Sequence, residues 1–146
     1  MNKNKKAIFY MAVGIIIIII GFAWMSGEST PVEEQIKVVK AEGYTNISVD
    51  ELAASLEDKD FTFVNVHIPY IGDIEGTDVS IPFNEIADNL TKLPEDKNAK
   101  IVLYCQSGGM STVAAETLAG LGYTNITNVL GGMIEWQKQG YPLVQS

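Results

Sequence analysis

The chain has 146 residues, nearly half of them apolar, with ten lysines, no arginine, eighteen carboxylates, one histidine and one cysteine, for a formal net charge of −8. That length holds one domain plus an appendage. The acidic balance argues against nucleic acid and anionic lipid surfaces as partners, and a lone cysteine excludes an internal disulfide.

In chain order, residues 1–6 form a basic N-terminus with Lys3, Lys5 and Lys6. Residues 7–25, AIFYMAVGIIIIIIGFAWM, are uncharged and apolar. As a helix this run would measure about 28 Å, enough to cross a bilayer core. Lysines precede it and Glu28, Glu33 and Glu34 follow it, which predicts a cytoplasmic N-terminus and an extracytoplasmic domain. The alternative is a secreted protein released from a signal peptide, for which Gly21-Phe22-Ala23 offers a small-x-small cleavage site. The apolar run extends to Met25, long for a signal peptide, and favours the retained anchor. Residues 26–43 read as a polar linker. Beyond residue 25, seven lysines face all eighteen carboxylates, a formal −11.

The domain is expected over residues 44–146. YTNIS (44–48) reads as a short strand, and Ser48 or Asp50 caps a helix over 51–57. FTFVNV (61–66) is a strand by its β-branched and aromatic content. HIPYIGDIEGTDVSIP (67–82) is an irregular loop whose Asp73, Glu75 and Asp78 are expected to be solvated. A helix is predicted over 84–93, with Ile86, Leu90 and Leu93 on one face. The apolar run at 100–104 predicts a strand covered on both faces. A helix over 111–121 should turn Val113, Ala114, Leu118 and Leu121 inward and stop at Gly122. NITNVL (125–130) is a strand, and 132–139 is a last helix closed by Gly140. This alternation predicts an α/β domain with a mostly parallel sheet and helices on both faces.

Cys105 falls at the carboxyl end of a strand and opens a connection into a helix, which is where such sheets bind ligands. Gly108 and Gly109 permit a tight curl of backbone, and main-chain N–H groups there would favour a thiolate or persulfide. Ser107, Ser111 and Thr112 can add hydrogen bonds. The expected sulfur is accessible and nucleophilic. The bland reading is a buried structural cysteine. His67, the single histidine, belongs to the same sheet edge, and a loop-pinning hydrogen bond is favoured over a general-base role. Trp136 reads as core packing.

Three stretches carry a family resemblance. FVNVHIPYIGDIEGTDVSIP, IVLYCQSGGMS and LAGLGYTNITNVLGGMIEWQKQGYPL resemble the first signature, the active-site loop and the ending of single-domain rhodaneses. The resemblance implies a five-stranded parallel sheet wound by helices on both faces. It implies a sulfurtransferase that carries sulfane sulfur as a persulfide on Cys105, with no metal or organic cofactor. The acceptor would be cyanide, a small thiol or a protein thiol. Gln106, Ser107, Gly108, Gly109, Met110 and Ser111 would form the substrate loop, and Asn65 with His67 would hold a structural polar contact. The loop departs from the family in lacking cations, since Gln106, Gly109 and Met110 stand where basic residues are common. Anionic thiosulfate is therefore expected to bind poorly. The alternative function is a catalytically weak binding or thiol redox-sensing module at the membrane surface. Dual-specificity phosphatases share the shape but need Cys-x5-Arg; position 111 is Ser, so phosphate-ester chemistry is excluded.

Overall fold

The computed structural model describes residues 43–145. The basic N-terminus, the apolar run at 7–25 and the linker up to residue 42 lie outside the described residues. Among the described residues no helix is long and apolar enough to cross a membrane.

Strand β1 (Thr45–Ile47) leads into helix α1 (Val49–Glu57). Ser48 caps α1 through a capping box: its Oγ accepts from Glu51 N–H at 3.2 Å, and its own N–H donates to Glu51 Oε2 at 2.7 Å. Strand β2 (Thr62–Asn65), the two-residue strand β3 (Val79–Ser80) and a 3-10 helix over Phe83–Lys92 follow. Strand β4 (Ile101–Tyr104), helix α2 (Gly109–Gly120), strand β5 (Ile126–Val129) and helix α3 (Gly132–Lys138) complete the order. The strands form one five-stranded sheet, β1-β5-β4-β2-β3, in which every neighbouring pair is parallel.

The chain moves one way across the sheet from β1 to β2 and the other way from β4 to β5. Right-handed crossovers therefore place α1 and α2 on opposite faces. On one face Val64, Leu103, Cys105, Ala114, Ala115 and Leu118 pack with Ile86 of the 3-10 helix. On the other, Phe63, Val102 and Tyr104 pack with Val49 and Leu52 of α1 and Met133 and Trp136 of α3. Alternating strand side chains divide the two cores, so β4 reads as a continuous buried run. Trp136 is core, and its Nε1 donates to Pro142 O at 3.1 Å.

Three expectations need correction. The loop at 67–82 contains the fifth strand, β3, which is too short to carry a period-two pattern. Residues 83–92 form a 3-10 rather than an α-helix, with non-helical φ/ψ at Asn89, whose Nδ2 donates to Glu85 O. Such a side-chain bond to backbone competes with the regular ladder. Helix α2 buries Ser111, Ala114, Ala115 and Leu118, an i, i+3, i+4, i+7 stripe that leaves Val113 and Leu121 exposed.

Candidate active site at the carboxyl end of β4

Cys105 directly follows β4, the central strand of the sheet. Strand parity aims its side chain at the α2 face, in line with Ile101 and Leu103. Its exposure is 1%, so the expected accessible sulfur is corrected: Sγ lies under the start of α2 with the core. It is not surrounded by hydrocarbon alone. Gly108 N–H donates to Sγ at 3.1 Å, and Ser111 Oγ lies 3.5 Å from it. Gly108 makes this possible with φ +103°, a left-handed conformation that returns its N–H toward the sulfur. Gly109 is the first residue of α2, and a Cβ there would meet nothing within 4 Å, so this side of the loop borders open space. Gln106 and Ser107 are exposed, and Met110 packs partly against the α2-side core.

Helix α3 holds the loop from below. Met133 N–H donates to Cys105 O at 2.9 Å, and Ile134 N–H donates to Gln106 O at 3.0 Å. Gly132 sits between, so close that an added Cβ would overlap the Cys105 carbonyl oxygen. Both carbonyls are thereby turned toward α3. Thr112 fixes the far end, its N–H donating to Gly108 O at 3.1 Å and its Oγ1 at 2.9 Å. Gly131 and Gly132 were not foreseen as part of the site; the Gly-Gly-Met turn after β5 was the available signal.

Asn65 and His67 do meet, but through backbone. His67 N–H donates to Asn65 Oδ1 at 3.0 Å, and Asn65 Nδ2 donates to Asp73 Oδ1 at 2.8 Å and Gly72 O at 3.1 Å. The His67 imidazole makes no pin of its own at Nδ1, which is buried with no hydrogen-bond partner. Burial lowers the His67 pKa from its ordinary value, because desolvation penalises the imidazolium. No hydrogen bond joins it to Cys105 among the described residues. Asn128, whose Oδ1 is also buried without a partner, links β1 to α2 by donating from Nδ2 to Asn46 Oδ1 at 2.8 Å and Thr112 Oγ1 at 3.4 Å.

The expectation that Asp73 is solvated is overturned. It is 5% exposed and accepts from Asn65, from Tyr70 OH at 2.8 Å, and from Ser80 Oγ and Tyr104 OH at 3.2 Å each. A buried carboxylate persists only with such donors. Tyr104 OH also accepts from Ile74 N–H at 3.0 Å, and burial pushes the Tyr104 phenol well above its usual range. Asp78 is likewise engaged, paired with Lys59 and accepting from Phe63 N–H at 2.7 Å. Glu75 is exposed.

A fully parallel sheet, covered on both faces and carrying a cysteine loop at the tip of an inner strand, defines the structural class. The chain belongs to the rhodanese-like family: the Rhodanese-like domain profile matches residues 48–139. Among curated relatives, a sulfurtransferase of Allochromatium vinosum is 33% identical over 66 residues, covering 45% of this chain and 60% of that protein. The thiosulfate sulfurtransferase PspE of Escherichia coli is 34% identical over 53 residues, 36% of this chain and 51% of that one. The matched region thus spans three-fifths or less of these relatives' lengths. Among solved structures, a rhodanese-related protein from Thermoplasma volcanium superposes with a TM-score of 0.59 at 29% identity, over 69% of this chain and 98% of that one. A rhodanese-like domain protein from Staphylococcus aureus gives 0.58 at 31%, with the same coverage.

Proposed function

We propose that the domain is a sulfurtransferase that carries sulfane sulfur on Cys105. The observation that supports this most directly is the Gly108 N–H directed at Sγ at 3.1 Å, in a loop of the family's sulfur-handling type; Ser111 Oγ, 3.5 Å from Sγ, has a nearer acceptor in Gly108 O at 3.1 Å. A main-chain N–H can stabilise negative charge on sulfur without a cation. In the first half-reaction the Cys105 thiolate attacks the outer sulfur of a donor. A new S–S bond forms at Cys105, the donor's bond to that sulfur breaks, and the electron pair leaves with the donor remnant. In the second, a thiolate or cyanide attacks the outer sulfur, and the electron pair of the Cys105 S–S bond returns to Cys105. Gly109 borders open space, the side from which a small donor can approach with least displacement.

Incubation of the full chain with polysulfide should add one sulfur atom, about 32 Da, to Cys105 by mass spectrometry, as a nucleophilic mechanism requires. Failure of any donor to load Cys105 would remove the proposal. The loop's lack of charge makes a further prediction. Gln106 is exposed and Gly109 has room for a side chain at ordinary φ, so Gln106→Arg with Gly109→Arg should be tolerated. The double variant should lower KM for thiosulfate about tenfold, the value of roughly 1.4 kcal/mol from a new charge-assisted contact. An unchanged KM would show that charge is not what limits this donor.

Residues 7–25 are proposed to anchor the chain in a membrane with the domain outside the cytoplasm. The support is the length of the apolar run and the lysines before it.

A further inference from the structure

We infer that the domain carries a second ligand site, for a small alkylammonium cation, in the cavity bounded by Glu57, Glu75 and Tyr141. It lies apart from the Cys105 loop and stands whether or not the domain transfers sulfur.

The cavity measures about 490 Å³, within the usual range for small-molecule sites. Leu56 and Glu57 of α1, Glu75 and Gly76 of the loop before β3, Trp136 of α3 and Tyr141 just beyond α3 line it. Its position follows from the topology. Helix α1 returns from the carboxyl end of β1 to the amino end of β2, and the two strands run in the same direction. Leu56 and Glu57, at the end of α1, therefore lie at the opposite end of the sheet from Cys105. Helices α1 and α3 pack on one face, whereas the Cys105 side chain belongs to the α2 face.

The lining side chains decide the charge of the occupant. The two nitrogen donors among them are already committed. Lys59 Nζ donates to both carboxylate oxygens of Asp78, at 2.8 and 2.6 Å, and Trp136 Nε1 donates to Pro142 O at 3.1 Å. Glu57 and Glu75 are exposed, and among the described residues neither is in an ion pair. An anion would meet two carboxylates and no uncommitted ammonium, whereas a cation gains from both carboxylates. The aromatic wall adds to this. Tyr141 stacks on Trp136 with ring centroids 4.2 Å apart and planes 25° from parallel. Trp136 is 6% exposed and Tyr141 37%, so Tyr141 presents the accessible ring and Trp136 holds it in place. An alkylammonium group carries its charge on an apolar body, which suits a tyrosine ring beside Leu56. A divalent metal ion needs about six oxygen ligands and fits the same wall poorly.

The test titrates the full chain, in a non-ionic detergent, with choline and with its carbon isostere, a neutral alcohol of the same shape, by isothermal titration calorimetry. Choline should bind about tenfold tighter than the alcohol. Glu57→Gln with Glu75→Gln should weaken choline binding about tenfold, and Tyr141→Leu about threefold. Glu85→Gln with Glu116→Gln removes the same charge from the α2 side of the domain and should leave the affinity within about twofold. All four glutamates are exposed, so these variants keep the fold. No binding of choline, equal affinity for the two compounds, or an equal loss in the Glu85 and Glu116 pair overturns the inference.

Discussion

Cys105→Ser should abolish sulfur transfer, a loss on the order of a thousandfold or more, while the domain stays folded. A serine hydroxyl at neutral pH is not ionised, is a poor nucleophile for sulfur, and cannot hold a persulfide. The structure explains why the fold should survive. The replacement is slightly smaller, and the Gly108 N–H now directed at Sγ can donate to a hydroxyl oxygen instead. A buried hydroxyl with partners costs little compared with an orphaned one. Transfer rate and thermal melt should therefore separate: activity at background, Tm within a few degrees. Residual turnover by the serine variant would move the nucleophile elsewhere. Concerted loss of fold and activity would instead show Cys105 to be chiefly a packing residue, as its position among Ile101, Leu103 and Ala114 would allow.

Gly132→Ala should be the most damaging single methyl group in the site. The added Cβ would overlap the Cys105 carbonyl oxygen and lie 2.9 Å from its carbon, and backbone atoms cannot swing aside as a flexible side chain can. The residue also sits at φ +50°, where a side chain costs about 1 kcal/mol or more. Together these predict a loss of roughly 2–4 kcal/mol, which for a domain of this size lowers Tm by on the order of 10 °C or more. The carbonyls of Cys105 and Gln106 are held by Met133 and Ile134 N–H, so the same substitution should also release the loop and change the rate at which Cys105 loads with sulfur. Gly109→Ala is the matched comparison for stability: ordinary φ, a helical position and nothing within 4 Å predict a neutral or slightly raised Tm. A Tm for Gly132→Ala equal to that of Gly109→Ala would mean that α3 does not brace the loop.

Features governed by local pattern were legible in the sequence. The β-branched and aromatic content of 61–66, the apolar run at 100–104 and NITNVL pointed to β2, β4 and β5, and of the two candidate caps for α1, Ser48 and Asp50, Ser48 holds the place. The position of Cys105 at the head of a strand-to-helix loop followed from the same reading. What escaped was set by contacts between distant segments. Asp73 looked like loop charge because its donors Tyr70 and Ser80, though in the same loop, reach it only once the loop is folded against β4, which brings in Tyr104 from 31 residues away. Sulfur burial depended on strand parity beneath α2, and the exposure of Val113 depended on which stripe of α2 meets the sheet, the one through Ser111, Ala114, Ala115 and Leu118. The crowding of Gly132 against Cys105 joins two loops 27 positions apart, a proximity no spacing rule contains. Strand β3 has no pattern to find; it exists because Val79 and Ser80 complete the ladder beside Val64 and Asn65.

Strand β1 has β5 as its neighbour in the sheet, and the Asn46–Asn128 bond joins residues 82 apart. During synthesis, then, β1 leaves the ribosome long before its mate exists. The sheet's first edge stays open until residue 129 has emerged, and closing so wide a loop delays assembly. A polypeptide with that wiring remains threadable through a narrow channel for most of its translation, whatever compartment it is bound for.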